Sequence, residues 1–363
     1  MKIGIVGLPL SGKTTLFNAL TGAQVDTAAF MGGKQEAHQA VIQVPDERLD
    51  KLTEIFNPQK KTPAVVEYID LAGLNTSEQK KQGFSDQFLG QIRSVDATLV
   101  VVRAFGDENI PHPLDSIDPV RDLKMVEGEF ILSDLAIIEN RLNRLSKQMR
   151  VKKQDHDVRE YDLLSKFKEF LEEEQLLRQL DLTEEEEHII RGYQFLTLKP
   201  MIVVVNIDEK DIGKEEEIMQ RFRAVQEQKD TVVLPISAEI EMEIQQLSED
   251  EAELFRKDLG ITHSAMDKLI RTSYELLGLI SFFTVGEDEV RAWTIRENTR
   301  APQAAGAVHS DMERGFIRAE VVSYEDFIAR GSLAKCRTDG VLRLEGRDYI
   351  VKDGDIINFR FAV

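Results

Sequence analysis

Apolar residues in this chain come in short unbroken runs, separated by stretches with helical spacing. The runs at residues 2–6, 65–70, 97–103, 201–205 and 231–236 are rich in Val and Ile, and 97–103 is apolar without alternation. Such runs suit a parallel sheet covered on both faces. Residues 40–44 read as a further strand. Pro45, Asp46, Glu47 and Arg48 then open a helix with Leu49, Leu52 and Phe56 on one side. The pattern changes at Glu129. Leu135, Ile138, Leu142, Leu145 and Met149 are spaced 3-4-3-4, and Tyr161, Leu164, Phe167 and Leu171 are spaced 3-3-4. Two helices with a polar turn near residues 154–157 predict an antiparallel hairpin with a coiled-coil seam. From Ile280 the runs shorten, to 281–285, 292–295, 319–322, 349–351 and 356–361, with turns such as Asp353-Gly354-Asp355 between them. They predict a small mixed sheet with a helix. The expected layout is an α/β domain of residues 1–127 and 197–280, a helical insertion of 128–196 and a last domain of 281–363.

The ends of the buried runs carry chemistry. After the first comes Gly7-Leu8-Pro9-Leu10-Ser11-Gly12-Lys13-Thr14-Thr15. This is G-x-x-x-x-G-K-[ST] between a strand and a helix, a phosphate-binding loop in its confirming context. The two glycines let successive N–H groups curl around a polyphosphate. The following helix adds its N-terminal N–H groups and dipole. Lys13 supplies charge for the β- and γ-phosphates, and the Thr14 hydroxyl suits Mg²⁺. Asp70-Leu71-Ala72-Gly73 ends another run: Asp70 would hold Mg²⁺ through water, and the Gly73 N–H would meet the γ-phosphate. Leu74 follows, where Ras-like enzymes use a Gln to orient the attacking water, so unaided turnover should be slow. Thr27 is the nearby candidate for a γ-phosphate sensor. His112 lies on a loop at the sheet's C-terminal edge, either as a group acting on the γ-phosphate or its water or as a surface histidine.

Asn206-Ile207-Asp208-Glu209 stands where guanine-specific proteins carry N-K-x-D. The Asn would buttress the loop and contact the base. Glu209 is one methylene longer than Asp and pushes its carboxylate into the guanine position. Adenine has no N2 amine for a bidentate carboxylate and donates instead from N6 to a backbone carbonyl. The site should therefore disfavour GTP and accept ATP. Ser237-Ala238-Glu239 would pack its backbone against the base edge.

Composition narrows the partners. With 42% hydrophobic and 31% charged residues, the chain is a soluble globular type. It has no apolar run of about 18 residues, so no membrane partner is expected. The first strand begins within two residues, leaving no room for a signal peptide. One cysteine, Cys336, fits a reducing cytoplasm. The net charge of −19 repels nucleic acid at long range, and no DNA binding is expected. The acid is uneven: residues 281–363 hold 12 Lys and Arg against 14 Asp and Glu. That end, and the basic run around Lys147, Arg150, Lys152 and Lys153, are where an RNA contact is least opposed. The basic run reads first as a solvated turn, and otherwise as the end of a projecting arm that touches RNA or a partner. His309, Asp311 and Arg314 read as a structural or binding group rather than a metal site.

These motifs, with residues 237–241, 281–286, 291–295 and 305–321, resemble the YchF family of Obg-like ATPases over nearly the whole chain. The resemblance implies a P-loop NTPase G-domain, an inserted coiled-coil hairpin and a C-terminal TGS domain of β-grasp type. It implies ATP preferred over GTP, Leu74 as the family's apolar replacement of the Gln, His112 at a loop histidine suggested to assist hydrolysis, and association with ribosomes. The chain departs in having Leu10 where the family loop has Asn, and Thr14 for Ser. Its segments at 30–33 and 75–83 lack the family's usual forms. Thr14 keeps the hydroxyl; losing the Asn removes the side chain through which a monovalent cation would activate. The expected function is a slow Mg²⁺-dependent ATP hydrolase that switches a translation partner, through the TGS domain and hairpin. The alternatives are a GTPase of the Obg class and an ATP-binding scaffold that no longer hydrolyses.

Overall fold

The computed structural model describes residues 1–22, 38–71, 84–152, 154–261 and 263–362. Its strands are β1 (Lys2–Val6), β2 (His38–Gln43), β3 (Lys60–Thr62), β4 (Val65–Asp70), β5 (Ala97–Arg103), β6 (Met201–Asn206), β7 (Thr231–Ile236), β8 (Leu279–Thr284), β9 (Glu289–Arg296), β10 (Phe316–Ser323), β11 (Arg343–Glu345) and β12 (Asp355–Phe361). They form two sheets, in the orders β2-β4-β1-β5-β6-β7 and β11-β10-β12-β8-β9-β3. The chain divides into two compact units, residues 1–41 with 67–266, and residues 42–66 with 267–363.

In the first unit β4, β1, β5, β6 and β7 run parallel. Every residue of β5 and of β6 is buried, as the unbroken apolar runs predict. Five strands therefore end on one edge, where ligands of such sheets bind. The helix α1 (Lys13–Thr21) follows β1 directly.

The helix that leads into the insertion begins at Pro119, ahead of the change of pattern at Glu129. One helix runs 33 residues, from Pro119 to Val151, with the Asp118 carboxylate accepting from the Val120 and Arg121 N–H groups at its start. Its first part packs Leu123, Val126 and Phe130 against Val100, Val102 and Val203 of the sheet. Its second part, from Ile131 through Ile138 to Leu145, meets Leu164, Phe167 and Leu171 of the helix Asp155–Glu172. Arg141 forms a two-pronged pair with Glu160 across the hairpin, at 2.8 and 2.6 Å. The second helix already starts at Asp155, so the turn lies before the predicted 154–157. The insertion returns to β6 over Asp134, whose fully buried carboxylate accepts from the Leu196 N–H at 3.1 Å, the Thr197 N–H at 2.9 Å and the Thr197 hydroxyl at 2.8 Å.

The second unit contains the order β9-β8-β12-β10, with β8 and β12 parallel at its centre. The helix Ala301–Val308 packs Ala301, Ala304 and Ala305 onto Phe282, Val321 and Phe359. The hairpin of β8 and β9, a helix and the strands β10, β11 and β12, with β12 beside β8, make the β-grasp arrangement. Residues 349–351 are not a strand: Ile350 makes only an isolated bridge to Arg300, because the Tyr349 hydroxyl and the Lys352 N–H both turn to the Asp355 carboxylate. Residues 42–66, which the sequence reading kept with the first domain, belong to this unit. β3 pairs parallel with β9, Arg48 is paired with Asp353, and the rings of Phe56 and Phe327 stack at 5.4 Å.

Candidate nucleotide site

The loop between β1 and α1 closes tightly because two of its residues have no side chain. Gly7 has φ 150° and Gly12 has φ 93°. A Cβ on Gly7 would lie 2.3 Å from the Val101 carbonyl oxygen, and one on Gly12 would lie 2.1 Å from Asn206 Nδ2. Leu10 is also left-handed, at φ 63°, with its side chain half exposed. For a residue with a Cβ that costs about 1–2 kcal/mol. Gly12 caps α1 with no side-chain hydrogen bond, so its first-turn N–H groups have no side-chain cap. The Ser11 hydroxyl is buried and has no partner among the described residues. A glycine-closed loop ahead of an uncapped helix start, with an unmatched buried hydroxyl, fits an anionic ligand.

Lys13 is buried beneath the loop, and its ammonium donates to the Leu8 carbonyl at 2.7 Å. Burial pushes that ammonium down to about 8, against the pull of the Asp70 charge. The Thr14 hydroxyl donates to Asp70 Oδ2 at 3.2 Å. A hydroxyl and a carboxylate oxygen held together at a phosphate loop are the hard-oxygen donors Mg²⁺ takes. Thr15 follows in the first turn of α1.

Asn206 joins the two halves of the site. Its Nδ2 donates to the Ser11 carbonyl at 3.0 Å, and its Oδ1 accepts from the Ala238 N–H at 3.0 Å. Both Ser237 and Ala238 are buried. Phosphate loop and base-side loop are thus fixed by one side chain. Ile207 is not at the surface of the site: it packs in the core with Val205, Ile212 and Phe222. Glu209 is exposed at the start of a short 3₁₀ turn, Glu209–Asp211. Asp208 holds that turn by accepting from the Lys210 N–H, and the Lys210 ammonium lies 2.9 Å away; these bonds hold its carboxyl below the usual range, the side-chain one foremost.

His112 is engaged elsewhere. Its Nε2 lies 2.8 Å from Asp122 Oδ2 and its Nδ1 accepts from the Leu114 N–H at 3.1 Å, with the side chain buried. An acceptor at Nδ1 puts the proton on Nε2, so both ring nitrogens serve the fold. Gly73, Leu74, Thr27 and the segments 30–33 and 75–83 lie outside the described residues. His309 and Asp311 form a local cap, with the Asp311 N–H donating to His309 Nδ1 at 3.2 Å and Arg314 paired to Asp311.

The sequence reading missed Arg103. It ends β5 fully buried, donates to the Phe105 carbonyl at 3.1 Å and the Asp107 carbonyl at 3.4 Å, and lies 4.5 Å from the Phe105 ring centre. The Phe105 ring edge is 3.8 Å from where a Cβ on Gly12 would stand. Arg103 therefore fixes an aromatic wall beside the phosphate loop. Its only sequence signal is an arginine closing an otherwise apolar run.

A family model described as "50S ribosome-binding GTPase" matches residues 2–129, and the YchF-GTPase_C model, described as a protein of unknown function, matches 279–362. The chain is 43% identical to "Ribosome-binding ATPase YchF" of Bacillus subtilis, over 100% of both chains. It is 38% identical to "Obg-like ATPase 1" of Caenorhabditis elegans, over 99% of this chain and 92% of that one. A solved structure titled "Structure of the Schizosaccharomyces pombe YchF GTPase" superposes with a TM-score of 0.87 at 34% identity, covering 99% of this chain and 97% of that one. With its phosphate loop, mixed α/β fold, long helical region and C-terminal sheet, the chain belongs to the YchF family of P-loop nucleotide hydrolases.

Proposed function

We propose that this protein binds and slowly hydrolyses ATP in the cytoplasm, and that its nucleotide state sets its affinity for the ribosome. The observation that carries this reading is the pair of hydrogen bonds that Asn206 makes, donating to Ser11 and accepting from Ala238. It couples a triphosphate loop to a base loop whose recognition position holds Glu209 instead of Asp. Thr14 and Asp70 would hold Mg²⁺, which would neutralise charge on the β- and γ-phosphates. Lys13 lies beside Asp70 to bind the same phosphates, and Gly73 is read as the γ-phosphate contact. The partner reading rests on relatives named ribosome-binding ATPases, with the C-terminal domain and the hairpin as contact regions.

Calorimetry with Mg²⁺-ATP and Mg²⁺-GTP tests the reading. ATP should bind at least tenfold tighter, about 1.4 kcal/mol, and Glu209→Asp should erode the preference. Ile207→Lys is a poor companion, because Ile207 is core. GTP binding equal or tighter would overturn the adenine assignment.

The alternative of an ATP-binding scaffold is not favoured, since the relatives are named ATPases; its one support is His112, whose two ring nitrogens are taken by Asp122 and Leu114. With Leu74 in place of the water-orienting Gln, the protein would then bind ATP without turning it over. Single-turnover hydrolysis with and without ribosomes separates the two: a scaffold shows no hydrolysis in either.

A further inference from the structure

Two arginines stand directly opposite each other on the C-terminal sheet. In the antiparallel pairing of β10 with β12, Arg318 faces Arg360, and both are exposed. Like charges in that relation oppose folding. A bulge produces it. The register passes from Phe316 opposite Phe361 to Arg318 opposite Arg360, so Ile317 is an extra residue. Had the pairing continued unbroken, Arg318 would oppose Phe359, a core residue, and would point inward. Bulges of this kind re-aim a side chain. Here the bulge brings a second guanidinium to the solvent face.

The next rung on that face has Glu320 between Asn358 and Leu344. The Glu320 carboxylate is mostly buried. It is paired with Arg360, lies 3.4 Å from Arg337 Nη2, and accepts from Asn358 Nδ2 at 2.9 Å. The Asn358 amide and these two arginines hold its carboxyl below the usual range. Arg318 has no acidic partner among the described residues. Two guanidinium groups thus share one carboxylate and a third, Arg318, stands beside them without one, in a chain whose net charge is −19. Exposed Ile317 and Leu344 flank them.

We propose that this face, with Arg318, Arg337 and Arg360 set around Glu320, docks the phosphate backbone of RNA. The guanidinium fork matches phosphate oxygens in pairs, and a fixed cluster of them gives a local attraction that the acidic body otherwise denies. Glu320 holds Arg337 and Arg360 in place without neutralising the group. The proposal rests on the ribosome reading above and names the surface and the chemistry within it.

The test is co-sedimentation of the full chain, with ATP and Mg²⁺, with purified ribosomes and separately with protein-free ribosomal RNA, over a KCl series. The Arg318→Gln/Arg360→Gln variant should bind both at least tenfold more weakly, and its salt slope should be shallower by about two. Arg318→Gln alone should not lower Tm, since it relieves repulsion; a clear fall would make Arg318 a structural residue and overturn the proposal. Ribosome binding that is unchanged in the double variant overturns the surface and leaves the ribosome reading standing. Arginine-dependent binding to ribosomes but not to protein-free RNA points to an acidic protein surface and overturns the RNA assignment. Failure of the wild type to bind either probe overturns both readings.

Discussion

The side-chain amide of Asn206 donates to the carbonyl of Ser11, 195 residues away in sequence, at 3.0 Å. Nothing larger than glycine fits beside it, because a Cβ at Gly12 would overlap the same amide. Asn206→Ala would leave the Ser11 carbonyl and the Ala238 N–H buried without these partners. Each such loss costs about 1–3 kcal/mol. We expect a destabilisation of about 2–4 kcal/mol in urea unfolding, with nucleotide affinity reduced at least tenfold. Gly12→Ala should do comparable damage to binding, since the amide must move to admit the methyl. If Asn206→Ala kept wild-type affinity, the coupling of the two loops would be refuted.

Leu10 occupies a left-handed backbone position that Asn adopts more readily. Its side chain is half exposed, so little packing is lost on replacement. Leu10→Asn should raise stability by about 0.5–1 kcal/mol, read as a higher urea midpoint at unchanged m. With Leu10 present, turnover should be the same in KCl and NaCl. A K⁺-dependent rate in the wild type would show that another group supports the cation.

Contiguous chemistry was legible in the sequence; pairings across distance were not. Gly7, Gly12, Lys13 and Thr14 sit within one loop, and their spacing alone predicts a phosphate cradle. Asp70 and Asn206 end apolar runs, which parallel strands bring to one edge whatever their separation. The two helical faces around Ile138 and Phe167 could likewise be read from spacing. By contrast, β3 is three residues long with a basic, exposed start, and only its partner β9 makes it a strand. The first part of the long helix carries Leu123, Val126 and Phe130 for the sheet, so its pattern belongs to a different core from the hairpin seam. His112 looked like a free loop histidine because its partner, Asp122, lies in the next helix.

Asp134 is the joint between the hairpin and the sheet domain. Its buried carboxylate takes bonds from Leu196 and Thr197, and Arg93 Nη1 lies 2.9 Å away. Asp134→Ala leaves Arg93 with only Ser133 and Gln194 as partners and strands the Leu196 and Thr197 N–H groups, at a cost of about 2–4 kcal/mol. Asp134→Asn keeps one acceptor oxygen and should cost less. Both losses should appear in thermal unfolding. Equal stability of Asp134→Ala and wild type would show that the return from residue 196 to β6 does not depend on this carboxylate.

Lys13 gives the site a pH signature of its own. Burial places its ammonium near 8 in the free protein, well below the ordinary lysine range of about 10.5. Between those values the unfolded chain holds a proton that the folded, nucleotide-free chain has lost. The free protein's stability therefore rises with pH across that window, as far as this group contributes. A triphosphate on the loop reverses the situation, because its charge favours the ammonium. Binding at pH 8.5 should then take up a clearly larger fraction of a proton than binding at pH 7. Calorimetry of ATP binding in two buffers of different ionisation enthalpy measures the uptake directly. Affinity should weaken as pH rises above 8, by up to about tenfold per unit. Lys13→Met should abolish the uptake at pH 8.5 along with most of the affinity. Uptake that is the same at both pH values would mean that Lys13 keeps its proton in the free loop, and that the Leu8 carbonyl and Asp70 outweigh its burial.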